Sequence, residues 1–221
     1  MITVKKLLFA AVFLGCTAFS KAQIGNEIKL PAPDINRNAA TIMKALAERK
    51  SVRECSEKEL TSQDLSDVVW SANGINRKDG RRTAPSSLNV QDIEIYAFTA
   101  KGVYHYQPTN HSLKTIAEGD YRKLLAGPPS PARKQDYVVK FPLILLYVSE
   151  LSRIKSGEEQ ARLTAAMDAA FVSENVNLFC AGTGLCTVTR ASMDRKGIIK
   201  LLKLNETQLP LLNNAVGYPK E

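Results

Sequence analysis

The stretch Arg49-Lys50-Ser51-Val52-Arg53 places three cations and a hydroxyl within five residues. Guanidinium and ammonium groups donate charge-assisted hydrogen bonds to an anion such as phosphate, and a serine hydroxyl adds one more donor. Read alone, the run is either an anion cradle or a solvated charged turn, and the turn is the commoner fate of basic clusters. A choice between the two needs the rest of the chain.

Other chemistries lack their residues. His105 and His111 are the two histidines, and neither is spaced with cysteines or carboxylates for a metal, so no metal is expected. The chain has no G-x-S-x-G elbow and no Walker loop. Gly182-Thr183-Gly184 resembles the start of a dinucleotide fingerprint. It follows a predicted helix rather than a strand, however, and Thr187 stands where the third glycine belongs. Cys186 has no local histidine partner to make it a nucleophile.

The elements that must position the basic run are legible in outline. A helix is expected from about Asn36 to Arg49, with Ile42, Leu46 and several alanines as its apolar stripe, so the run sits just beyond its end. Thr61 caps a second helix, with Asp64 placed as in a capping box and Leu65, Val68, Val69 and Ala72 on one face. Asn73-Gly74 reads as a left-handed stop, and Trp70 just before it reads as core. The polar loop from Ile75 to Gln91 has 17 residues, which is long for a compact domain and points to function or disorder.

Ile93–Thr99 and Gly102–Gln107 alternate apolar and polar residues around Ala100-Lys101-Gly102 and predict a hairpin. Asp120 to Ala126 is a short helix stopped by Gly127-Pro128-Pro129. Pro142–Ser149 is a near-continuous apolar run, the pattern of a strand buried on both faces. The longest helix runs from about Glu158 to Ala181 and is apolar over much of its circumference, so it should be central. A short strand at Cys186–Thr189, a helix from its Asp194 cap to about Leu204, and an extended piece at Asn214–Pro219 complete the chain. This mixture of helices and hairpin strands is an α+β pattern.

Composition narrows the setting. Lys5 and Lys6, the apolar Leu7–Phe19 and the small-x-small site Ser20-Lys21-Ala22 predict an export signal over residues 1–22, too short to span a membrane. Lipidation at Cys16, in a poor lipoprotein box, is the minor alternative to a periplasmic soluble protein. Cleavage removes Lys5, Lys6 and Lys21 and no acids, so the formal charge falls from +8 to +5. That excess favours anionic ligands, but the density of Lys and Arg is not that of a nucleic-acid binder. The mature chain keeps Cys55, Cys180 and Cys186, an odd number that argues against a disulfide scaffold. A leader at 23–35 and one domain at 36–221 follow the signal.

Four clusters taken together resemble the nitroreductase family, and they cover nearly the whole mature chain. They are Glu48–Glu54, Val68–Gln91, Gly102–Leu113 and Leu201–Pro219, in the family's order. The phrases W-x-A-x-G-I-N-R, R-T-A-P-S-S and G-V-Y-H-Y are most similar to the SagB-type dehydrogenase branch. The resemblance implies an α+β fold with a mostly antiparallel sheet flanked by helices. It implies an intertwined homodimer with two FMN molecules at its interface, and two-electron hydride chemistry at flavin N5 with a small electron-poor, nitro or quinone-type molecule. NAD(P)H is the family's usual reductant. Relatives of the SagB type oxidise azoline rings in peptides.

The same resemblance assigns residues. Its Arg-x-Ser-x-Arg motif falls on Arg49, Ser51 and Arg53, with Lys50 in the same cradle; the first Arg and the Ser hold phosphate, and the later Arg approaches the N1/O2 edge of the ring. Pro85, Ser86, Ser87 and Asn89 match the segment that reaches the partner's flavin. The family's backbone turn toward N5 falls near Val188 to Ser192, where Ala191-Ser192 replaces the common Glu-Gly pair. Many relatives close on the phosphate with a late basic pair. Here Lys220 is the only late cation before Glu221, and Arg190 is the alternative. No catalytic side chain is implied, because solvent can supply protons in many flavin hydride reactions. Export would remove the usual nicotinamide donor, so a protein or quinone-like donor is expected outside the cytoplasm. A flavin carrier without turnover and a purely structural dimer are the competing readings.

Overall fold

A computed structural model describes residues 25–127 and 136–220. The signal segment, Cys16 and the Pro128-Pro129 helix stop lie outside the described residues. Its elements are β1 (Glu27–Lys29), α1 (Ile42–Glu48), α2 (Ser62–Asn73), β2 (Ile93–Thr99), β3 (Gly102–Gln107), β4 (Ser112–Glu118) and α3 (Lys123–Ala126). They continue with β5 (Leu143–Glu150), α4 (Glu158–Thr183), β6 (Cys186–Arg190), α5 (Arg195–Leu202) and β7 (Gln208–Gly217).

Seven strands form one sheet in the order β1-β4-β3-β2-β5-β7-β6. Every neighbouring pair is antiparallel. β5 lies at the centre because its residues are apolar on both sides. Leu143, Leu145 and Tyr147 face a core shared with Val68, Val69 and Ala72 of α2 and Val172 and Val176 of α4. Ile144, Leu146 and Val148 face the other core, with Leu125, Phe141, Val188 and Ile198. Alternation along one strand thus builds two cores, as the apolar run at Pro142–Ser149 requires.

α2 starts as its capping residues dictate. Thr61 Oγ1 accepts from Asp64 N–H at 3.0 Å and donates to Asp64 Oδ2 at 2.6 Å. Asp64 also accepts from Tyr218 and, with Asp67, from Arg37, so the helix start, the leader and the end of β7 meet at one carboxylate. Burial raises its proton affinity, but the bonds from Thr61, Tyr218 and Arg37 hold the Asp64 carboxyl below its ordinary value. Replacing Thr61 by alanine should cost about 1 kcal/mol, read as a lower urea midpoint with an unchanged slope.

Several expectations need correction. α1 begins after Thr41, not at Asn36, because Arg37 is engaged with α2 and Ala40 N–H donates to Gly182 O at 2.7 Å. Gly74 does not take the left-handed conformation; its φ is −76°. Glycine is needed there for space, since a Cβ would lie 2.2 Å from Trp70 Cδ1. Trp70 itself is half-buried rather than core, and its Nε1–H donates to Ile75 O at 3.0 Å. The leader contributes β1 to the sheet, and Ser112–Glu118 forms β4, neither of which the sequence pattern suggested. α4 buries one face and exposes Leu163, Met167 and Phe171 on the other, so it is not apolar-packed all round.

Candidate functional site

The basic run follows α1 directly, and its backbone is pinned at three points. Arg49 N–H donates to Ala45 O, Val52 N–H to Thr187 O in β6, and Ser56 N–H to Tyr218 O after β7, each at 2.9 Å. The side chains are not engaged. Arg49, Lys50, Ser51 and Arg53 are all exposed, and among the described residues none of the four makes a side-chain hydrogen bond or ion pair. Lys50 borders a cleft of about 510 Å³ with Val52, Asn177, Gly184, Cys186 and Thr187. Gly184 closes α4 in the left-handed conformation, with φ 78°, so the helix can turn sharply into β6 beside that cleft.

A buried polar network stiffens the floor beneath this region. Asn214 of β7 accepts from Tyr147 Oη at 2.9 Å and Ser173 Oγ at 2.7 Å. Its amide donates toward Asn177, Thr187 and Thr189. Every polar group of Asn214 is thereby matched, which ties α4, β5, β6 and β7 into one geometry. The sequence reading missed these residues, although two adjacent amides inside the apolar strand Leu209–Val216 were a usable signal.

The remaining expected residues separate into distinct places. Lys220 stands at the same end as the basic run, with Nζ 3.6 Å from Glu54 and a cleft shared with Ser56, Lys58 and Gly184. Arg190 does not join them. It is buried, donates to the carbonyls of Leu125 and Ala126 and to Asn213 Oδ1, and lies over Tyr137. Its guanidinium holds α3 against the sheet, which corrects its expected part in closing a phosphate site. Asn213 also ties the turn after β6 in place, donating to Ser192 O at 3.2 Å.

Pro85 to Asn89 lies on the middle of α4, where Ser87 N–H donates to the Asp168 carboxylate at 3.0 and 3.2 Å. Asp168 and Ala181, which lines the Lys50 cleft, are separated along α4 by about 20 Å at roughly 1.5 Å of rise per residue. Within one chain, therefore, the Arg49–Arg53 run and the Pro85–Asn89 segment do not meet. Leu88 in that segment is 95% exposed, and it carries φ 48° beside Asn89 at φ 56°. The loop is ordered into a 3-10 turn at Ser87–Asn89 rather than being formless.

The other reactive types are structural. His111 sits between Ser66 Oγ and Tyr106 Oη at 2.7 and 2.9 Å, and burial lowers its pKa. His105 stacks on Tyr96 with ring centroids 4.5 Å apart. No group of metal-ligating side chains forms among the described residues. Cys55, Cys180 and Cys186 are free and buried. Burial pushes the Cys55 thiol up to about 12 and raises the other two, so none is an activated nucleophile. No described helix is long and apolar enough to cross a membrane.

The nitroreductase family model matches residues 46–218, and the chain belongs to the nitroreductase family. A nitroreductase-like protein of Methanocaldococcus jannaschii is 29% identical over 202 residues, covering 88% of this chain and 98% of its own. The crystal structure of a nitroreductase-like protein of Ralstonia eutropha is 32% identical with a TM-score of 0.77, covering 88% of this chain and 90% of that one. A Clostridium acetobutylicum structure described as NADH-oxidase-like shares the fold at a TM-score of 0.55 and 18% identity, covering 82% of this chain and 89% of that one. The protein is accordingly a nitroreductase-family oxidoreductase, of a family that generally uses flavin cofactors and is typically dimeric.

Proposed function

We propose that this chain is an exported, homodimeric, FMN-dependent oxidoreductase of the SagB-type branch. The observation that carries the reading is the set of uncommitted cations on a pinned backbone. Arg49, Lys50 and Arg53 are exposed without partners among the described residues, while their main chain is fixed to α1, β6 and the end of β7. A phosphomonoester fits such donors. Guanidinium forks match phosphate oxygens bidentately, Lys50 supplies a point charge, and Ser51 adds a hydroxyl donor. Arg53 is the residue assigned to the flavin ring edge, where a cation favours the anionic reduced form. Lys220 closes the same end of the site.

The second half of the site is expected from the partner subunit. Pro85, Ser86, Ser87 and Asn89 lie too far along α4 to reach their own basic run, and an intertwined pair brings them to the other copy's. The exposed apolar stripe Leu163, Met167 and Phe171 on α4, together with Leu88 and Ile42, Met43 and Leu46 of α1, supports burial of this face against a second copy.

FMN, when bound, supplies two-electron transfer at N5 to or from an electron-poor small molecule of nitro or quinone type. Arg49, Lys50 and Ser51 would hold its phosphate, and Arg53 would meet the ring edge. Export places the reaction away from NAD(P)H, so a quinone-like or protein donor is the expected partner. The test is a reductant and acceptor panel on the purified holoprotein. The flavin should bleach under a chemical reductant and recover on adding a quinone or nitroaromatic; a bound flavin that no acceptor reoxidises would identify a carrier instead.

A further inference from the structure

The Ser86–Asn89 segment is held from behind by two buried carboxyl groups. Asp168, in the middle of α4 and 3% exposed, accepts Ser87 N–H on both oxygens. Asp92, immediately before β2, is fully buried. Its Oδ2 accepts from Ser149 Oγ at 2.6 Å, while its Oδ1 has no hydrogen-bond partner. The two carboxyl groups lie within hydrogen-bonding reach of each other. Two ionised carboxylates in that position repel and leave Asp92 Oδ1 orphaned. A single proton on Asp92 removes both defects, because the acid then donates to Asp168 and leaves Asp168 lone pairs for Ser87.

We propose that Asp92 carries a proton that it donates to Asp168, and that this hydrogen-bonded pair is the positioning device that seats the Ser86–Asn89 segment. Loss of the proton loosens the segment. The segment needs such an anchor, since Leu88, Asn89 and Gln91 all hold positive φ without being glycine. The consequence for flavin binding rests on the reading given under Proposed function; the anchoring itself does not.

Among the described residues no cation donates a hydrogen bond to either carboxyl of the pair. From the long loop, Arg82 is near enough to feel the Asp92 charge, but its Nε–H is taken by Gln91 Oε1. Arg153, just after β5, donates to Gln91 O and Glu94, and Glu94 of β2 faces His105 of β3. Glu150 of β5 offers only its backbone N–H to Asp92 O, its carboxylate serving Ser152 and Thr207. Burial pushes the Asp92 carboxyl up to about 6; the Ser149 bond opposes this and Asp168 adds to it. The folded value is thus above the unfolded one. The linked stabilisation is fully present below about pH 4 and is lost as pH rises through about 6.

The experiment measures amide exchange in the 84–91 segment and urea unfolding, both on FMN-free protein, from pH 4.5 to 8. Asp92→Asn gives Asp168 a permanent N–H donor and keeps the Ser149 bond; Asp168→Asn supplies the same pairing from the other side. In the wild type, protection at Ser87, corrected for intrinsic exchange, should fall at least tenfold with rising pH. The unfolding constant of the wild type relative to Asp92→Asn should rise about 30-fold across the same window. Both Asn variants should stay protected throughout. Wild type and variants with the same pH profile, or an Asp92→Asn segment already loose at pH 5, would overturn the proposal. A segment that loosens as described in protein that never takes up FMN supports the proton pair and overturns only the flavin reading.

Discussion

Replacing Arg49 by alanine is expected to weaken FMN binding about 100-fold while leaving the fold as stable as before. The two halves of that expectation come from different atoms. The Arg49 side chain is exposed and makes no hydrogen bond or ion pair among the described residues, and its backbone bond to Ala45 O survives a truncation. Substitutions of this kind move stability by roughly 0.5 kcal/mol or less. A guanidinium fork on phosphate, by contrast, makes two charge-assisted hydrogen bonds, each worth about 1.5–3 kcal/mol. Their loss corresponds to about 100-fold or more in dissociation constant. Fluorescence titration of FMN reads the first quantity and a thermal melt reads the second. Arg49→Lys should recover only part of the affinity, because an ammonium cannot reproduce the fork. Unchanged flavin binding in the alanine variant would remove the basic run from the site.

If the chain pairs as proposed, replacing Phe171 by aspartate is expected to split the proposed dimer and to abolish flavin binding with it. Phe171 is 49% exposed on α4, in line with Met167 and Leu163 one and two turns away. A twofold contact counts the substitution twice. Each copy forfeits roughly 1.5–3 kcal/mol of apolar burial, and each must then bury or expel a charge. The dimer dissociation constant should rise by about 1000-fold or more, visible by light scattering at micromolar protein. The monomer should remain folded, because the buried face of α4, including Ala165, Val172 and Val176, is untouched. A dimer that survives Phe171→Asp with its flavin would place the subunit contact elsewhere.

These two substitutions also mark what could and could not be read from the chain. The central strand, the long helix and the Thr61 cap were visible because each depends on residues adjacent in sequence or at fixed periods. β1 and β4 were not, since their stability comes from pairing Glu27–Lys29 with Ser112–Lys114 across a long sequence interval. The start of α1 was misplaced for a similar reason: Arg37 and Ala40 bond to α2 and to Gly182, so local helix preference loses. Arg190 shows the same limit at the site. By residue type it suits a phosphate, but the carbonyls ending α3 claim it. The basic run was legible as a motif, whereas its separation from Pro85–Asn89 along α4 emerges only in three dimensions.

The visible absorption of the purified protein, followed by titration with FMN, tests the central claim most directly. Protein that is yellow as isolated, or that takes up one FMN per protomer with an affinity lost in Arg49→Ala, is the expected result. A folded, colourless protein that leaves added FMN free at micromolar concentration would contradict it.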